Sequence, residues 1–176
     1  MRFVAILFVA LLFCACREDK MPSLAPEPPT SSTVPAADVA GRPQPKLRTL
    51  KLWVGTNELT AEIASTRLEI QTGMMWRTNM AEMEGMLFVF PFPQSVSFYM
   101  RNTLVPLSCA YINPEGTVLE TYDMQPRDET PIPSRSSEVL YVLEVNQGWF
   151  ERHDVRPGML VRSEYGPLSQ TFRPRR

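Results

Sequence analysis

LSCAYINPEGTVLETYDM, residues 107–124, is the stretch whose reading decides the fold. LSCAYI is almost wholly apolar, and TVLETYDM mixes apolar and polar positions, so both halves suit extended chain. Between them, Asn113-Pro114-Glu115-Gly116 supplies a proline for the turn and a glycine for its left-handed position. Strand, tight turn and strand make an antiparallel hairpin.

The same grammar continues outward. In KLRTLKLWV, Leu50, Leu52 and Val54 alternate with Lys51 and Trp53, as a half-buried strand requires. Gly55-Thr56-Asn57 turns the chain into LTAEIA, where Leu59, Ala61 and Ile63 share a face. MLFVF (86–90) is apolar on both faces and reads as a central strand that Pro91 and Pro93 end. SVSFYM (95–100) alternates, EVLYVLEV (138–145) reads as a second central strand, and Val155-Arg156-Pro157-Gly158 leads into a closing strand, MLVRS. The intervening QPRDETPIPSRS (125–136) is a Pro-rich loop.

Helices are few. Thr66-Arg67-Leu68-Glu69 fits a capping box, in which the Thr hydroxyl and the Glu carboxylate satisfy each other's free amides. Leu68, Thr72 and Met75, with Met74 beside them, are expected to face inward. A second short helix, QGWFERH, would start after a capping Asn146. The expectation is a mainly β (α+β) fold. It would be a compact curved antiparallel sheet or small barrel of about eight strands with one or two short helices. No β-α-β alternation is visible, which argues against a doubly wound nucleotide-binding sheet.

The N-terminal segment speaks to location. Arg2 precedes an apolar run from Phe3 to Phe13, too short for the ~20 residues of a spanning helix but suited to a signal peptide. Phe13-Cys14-Ala15-Cys16 resembles a bacterial lipobox, which would make Cys16 the lipidated first residue of the mature chain. Arg17 after it, rather than Asp, resembles an outer-membrane address in Gram-negative bacteria. Residues 17–45 are rich in Pro, Ser, Thr and Ala and lack aromatics, so they cannot bury enough apolar surface to offset chain entropy. The expected organisation is a signal peptide (1–15), a lipid anchor site and tether (16–45), a globular domain (46–165) and a disordered basic tail (166–176). Cys14 would be lost on cleavage and Cys16 lipidated, leaving Cys109 as a lone buried thiol.

Composition excludes several function classes. The formal net charge is −1, and the Arg-rich end is short and interrupted by Pro174, so nothing supplies the clustered basic face that nucleic acid requires. There is one His, His153, whose charged neighbours suggest exposure. No Cys/His cluster has metal-ligand spacing, and neither G-x-S-x-G nor H-E-x-x-H occurs. No cofactor and no metal are expected.

Six motifs recur in a recognisable order: T-x-x-E-x-x-x-G-M-M-W-R (66–77), E-G-M-L-F-V-F (84–90), S-F-Y-M-R-N-T-x-x-P-L (97–107), N-P-E-G (113–116), Y-V-L-E-V-N-x-G-W-F (141–150) and V-x-P-G (155–158). Together they resemble the bacterial and archaeal family known as domain of unknown function 192, over about residues 50–162. The resemblance implies a compact, mainly β domain with a short helix, often exported, and brings no established reaction. Two departures stand out. Ser108 occupies a position where the family typically has Asp, and the 125–136 loop lacks a Cys that many members carry.

The candidate polar residues are Arg77, Arg101, Asn102, Thr103, Glu144 and Asn146, with Glu84 and Asp123 beside them. Each ends or faces an apolar run. Glu144 lies inside YVLEV, where a carboxylate is costly to bury unless paired, so an Arg101–Glu144 or Arg77–Glu84 pair is expected. The functional expectation is a lipid-anchored, monomeric envelope domain that binds a small anionic ligand, a peptide or an envelope partner, with arginines gripping the anion. The alternative is a small envelope hydrolase or transferase built on Arg101, Asn102 and a carboxylate, with Glu144 and Asp123 as a conceivable acid–base pair.

Overall fold

The computed structural model describes residues 41–172. The segment expected to be a signal peptide, Cys16, the expected tether up to residue 40 and residues 173–176 lie outside them.

The domain opens with the expected hairpin, β1 (Thr49–Val54) and β2 (Asn57–Ala64). Leu50, Leu52 and Val54 are buried as the alternation requires. Helix α1 (Arg67–Thr72) follows, then β3 (Glu84–Gln94), the short β4 (Ser97–Phe98), β5 (Leu107–Ile112), β6 (Val118–Met124) and the short β7 (Ile132–Pro133). The chain closes with β8 (Val139–Asn146), α2 (Trp149–Arg152), β9 (Val161–Ser163), β10 (Gly166–Pro167) and α3 (Leu168–Thr171). Eight strands form one sheet in the order β10-β9-β1-β2-β3-β8-β5-β6, and β4 pairs with β7 apart from it. The fold is mainly β, and β3 and β8 lie centrally in the sheet, as their two-sided apolar sequences require.

Several expectations are corrected. The sheet is not wholly antiparallel: β2 and β3 run parallel, Ala61 opposite Gly85 and Ile63 opposite Leu87. A parallel pair needs a long crossover, and residues 65–83 with α1 provide it, so one β-α-β unit is present after all. The sheet is curved but not a closed barrel. Its far ends meet only at a short seam around Thr117 and Leu160, where Val118 N donates to the Met159 carbonyl, Gly158 N to the Val118 carbonyl and Val161 N to the Gly116 carbonyl at 2.7–2.8 Å. β3 does not stop at Pro91. It runs through both prolines to Gln94, and they fall where its register with β8 shifts between Val89 and Gln94, so their missing N–H groups interrupt no ladder bond. The segment 166–172, expected to be tail, forms β10 and α3, and Leu168 is fully buried in the core.

The two faces of the sheet carry separate cores. One face joins Ile63, Leu87, Leu143 and Ala110 to Trp149, Phe150 and Leu168 from α2 and α3. The other joins Met86, Phe88, Val142, Cys109 and Tyr111 to Met74, Met100 and Val105 from the segments that follow α1 and β4. Met74 is buried there as expected, whereas Leu68 points away and is 66% exposed. Among the described residues no helix is long and apolar enough to cross a membrane.

Candidate functional site

Strand pairing fixes which side chains meet. Residues opposite one another across a ladder share a face, while sequence neighbours take opposite faces. The register therefore lines up Glu62, Met86, Glu144, Cys109 and Tyr122 as one row across β2, β3, β8, β5 and β6. The next row is Ala64, Phe88, Val142, Tyr111 and Glu120. Glu144 sits near the middle of this face, 5% exposed, and its Oε2 has no hydrogen-bond partner among the described residues. Burial alone, with no compensating cation, pushes its carboxyl up to about 8. The carboxyl is therefore mostly protonated at neutral pH. Beside it, burial first and the Glu144 charge second push the Cys109 thiol well above its ordinary range. That thiol is free and inert.

A cleft of about 310 Å³ opens over Glu144. One wall is the end of α1. The capping box forms as expected: Glu69 N donates to the Thr66 hydroxyl at 3.3 Å, and Thr66 N donates to the Glu69 carboxylate at 2.8 Å. These backbone donors hold the Glu69 carboxyl below the usual carboxylate range. The helix stops at Gly73, whose φ of +48° and ψ of −131° exclude ordinary side chains. A Cβ there would also come within 3.2 Å of the Phe88 ring. Gln44 Nε2 donates to the free Gly73 carbonyl at 2.8 Å.

The opposite wall is aromatic. Phe98 stands edge-on to Phe88 with centroids 5.0 Å apart, and Tyr99 lies exposed at the rim. The chain then turns through Arg101-Asn102-Thr103. Asn102 takes a left-handed φ of 54°, and its carbonyl accepts from Trp76 N at 2.8 Å. This turn buries Thr103 and aims it at the cleft, its hydroxyl 3.3 Å from the Arg101 carbonyl.

Of the six sequence candidates, only Thr103 and Glu144 line this cleft. Arg77 makes a bidentate pair with Glu62, at 2.8 and 2.9 Å, not with Glu84. Glu84 instead accepts from Ala81 N. Arg101 pairs with Glu129 at 3.0 Å on the surface, not with Glu144, and its guanidinium lies 5.4 Å above the Tyr99 ring. Asn146 does not cap α2, whose N-cap is Gly148. Its amide donates to the Met80 and Ala81 carbonyls at 3.1 and 2.9 Å. Asp123 and Glu144 cannot act as a pair, because Asp123 belongs to the row of Gly85, Val145 and Ser108 on the other face. There Ser108 donates to Asp123 and accepts from Gly148 N at 2.8 Å, so the Ser at this position ties β5 to β6 and to the start of α2. His153 is half-buried rather than exposed, stacked on Trp149 at 4.2 Å. Sequence reasoning missed the aromatic wall, although Phe88, Phe90, Phe98 and Tyr99 cluster in two short runs that could have signalled it. It also passed over Glu62, a carboxylate in the middle of an apolar-alternating strand.

A second hollow, about 640 Å³ between β6 and α2, is larger, but it is lined by surface residues such as Asp123, Glu151 and Asp154. None of its lining side chains holds an unpartnered buried polar atom. The cleft over Glu144 is therefore the better-built site. A curved β domain with one aromatic-walled cleft and an unpartnered buried carboxyl is the class of protein these observations define.

The chain belongs to the DUF192 family, described as an uncharacterized ACR, whose model matches residues 50–163. A similar solved structure comes from Sinorhizobium meliloti 1021, a proposed transcription regulator, at 32% identity and a TM-score of 0.64, covering 68% of this chain and 97% of that one. Another, a protein of unknown function from Novosphingobium aromaticivorans DSM 12444, is 32% identical with a TM-score of 0.62, covering 66% of this chain and 86% of that one. No curated protein matches the chain significantly.

Proposed function

We propose that this chain is an exported, lipid-anchored binding domain that takes a small organic ligand into the cleft over Glu144. The observation that carries the proposal is the buried carboxyl with an unpartnered oxygen at the floor of a cleft walled by Phe88, Phe98 and Tyr99. Such an oxygen is costly to leave unsatisfied, and a ligand that satisfies it gains affinity and orientation together. The anionic ligand expected from sequence loses its grip, because Arg77 and Arg101 are engaged by Glu62 and Glu129. The hydrolase or transferase alternative gains no support, since Arg101 and Asn102 do not line the cleft beside Glu144. The regulator role proposed for the S. meliloti protein is not carried over, because a net charge of −1 offers DNA no electrostatic footprint.

The export and anchoring part of the proposal rests on the lipobox-like Phe13–Cys16 and the tether composition. A thermal-shift screen of small metabolites on the mature chain tests the binding part, run beside Ser97→Trp, which plugs the cleft from an exposed position. Compounds that stabilise the wild type and not Ser97→Trp support the reading. Compounds that stabilise both equally, or none at all, refute it. For the anchor, Cys16→Ser should move the protein from the membrane to the soluble fraction, and undiminished attachment would refute that half.

A further inference from the structure

The cleft's chemistry narrows its ligand. Its lining contains no Lys, Arg or His, and Glu144 and Tyr99 are its titratable groups. The groups facing Glu144 are few. From β5 come Cys109 and Tyr111, from β3 only Met86 and Phe88, from the α1 wall only Ile70, Gln71 and Thr72, and from the rim Tyr99. Arg77, from the crossover segment, is closed onto Glu62, which lies on the far side of Met86 from Glu144.

We infer that the ligand of this cleft is an organic ammonium ion with an apolar body, its charged nitrogen on Glu144 Oε2 and its body against Phe88, Phe98 and Tyr99. This rests on the binding reading above. Three physical points carry it. A buried carboxyl without a cation gains most from a ligand that supplies one, because the hydrogen bond becomes charge-assisted and the desolvated charges neutralise each other. Aromatic faces favour cations, and Tyr99 already carries one, the Arg101 guanidinium over its ring. An anionic ligand would bring a second acid to a site whose floor is an acid and which offers no basic side chain.

The proton balance follows. With its carboxyl near 8, free Glu144 is protonated at pH 7. When R–NH₃⁺ binds, the Glu144 O–H bond breaks, its proton leaves to solvent, and the carboxylate accepts a hydrogen bond from the ammonium. Binding therefore releases about one proton at pH 7 and few at pH 9, and affinity rises about tenfold from pH 6 to pH 7.

The test is calorimetric titration of the mature chain with 2-phenylethylammonium, 2-phenylethanol and phenylacetate, in two buffers of different ionisation heat. The expected result is that the ammonium binds at least about tenfold more tightly than the other two, with the proton release stated, and that Glu144→Gln abolishes both the preference and the release. The pH series on the wild type alone decides the matter even if that variant misfolds. Equal or tighter binding of the alcohol or the carboxylate, or ammonium binding without proton release, overturns the ammonium inference while leaving the cleft as a site. If none of the three binds, the ammonium inference falls. The binding reading falls with it only when the broad screen also finds no compound that Ser97→Trp excludes.

Discussion

Glu62 and Glu144 occupy the same row of the same sheet face, separated by Met86 alone. Their exposure is nearly equal, 8% and 5%. Yet Glu62 is closed. Arg77 takes both its oxygens, and Leu47 N donates to one of them at 2.7 Å. Glu144 keeps an oxygen without a partner and faces a cleft. Burial alone does not mark a functional carboxylate. The difference lies in what the covering segments bring: the 73–83 crossover carries a guanidinium over Glu62, whereas aromatic rings and a hydroxyl arch over Glu144.

The largest expected effect breaks or upholds the Glu144 side of this contrast. Its folded-state value near 8 lies above the ordinary value of 4.5, so between these pH values the folded protein holds a proton that the unfolded chain has released. Stability should therefore fall as pH rises through that window, by about 5 kcal/mol in total, and level off on either side. Glu144→Gln should remove the slope and be the more stable protein at pH 8, as read by urea unfolding at pH 5 and pH 8. Parallel pH profiles for the two proteins would show that Glu144 is not a lone buried acid.

The Glu62 side comes next. Arg77→Ala should cost about 3 kcal/mol, because it strands a mostly buried carboxylate. The double variant Arg77→Met/Glu62→Gln should recover much of the loss, and a double variant as unstable as the single would contradict the pairing argument. Gly85→Ala probes the strand between the two acids. Its Cβ would stand 2.7 Å from the Glu144 carbonyl oxygen and 3.0 Å from Leu59, so about 2 kcal/mol of destabilisation is expected in the same assay. Wild-type stability would show that β3 and β8 can part without loss. Smallest is Arg101→Ala, which removes an exposed pair with Glu129 and should leave the urea-unfolding midpoint almost unchanged. A larger loss would mean that Arg101 supports the cleft rim through Tyr99 far more than a surface contact can.

Much of the fold was legible in the sequence, for identifiable reasons. The β1–β2 and β5–β6 hairpins followed from two-residue alternation and turn chemistry, and α1 began where the Thr66–Glu69 box placed it, because these signals are local. The parallel partnership of β2 with β3 was not legible, because nothing in either strand states which neighbour a crossover will deliver. Glu144 stood out as a charge inside an apolar strand, but its expected partner was wrong. Arg101 follows β4 onto the surface, where Glu129 of the adjacent loop is nearer to hand than the sheet interior.

By itself the sequence determined that the domain is mainly β, where its hairpins turn, and that one carboxylate would be buried in a central strand at a cost. Only the tertiary structure decided which carboxylate is satisfied and which is left open. Alternation sets the face a residue points to, but the row it joins depends on strand order and register. That order set Glu62 beneath Arg77 and Glu144 beneath a cleft, from strands that lie about eighty residues apart.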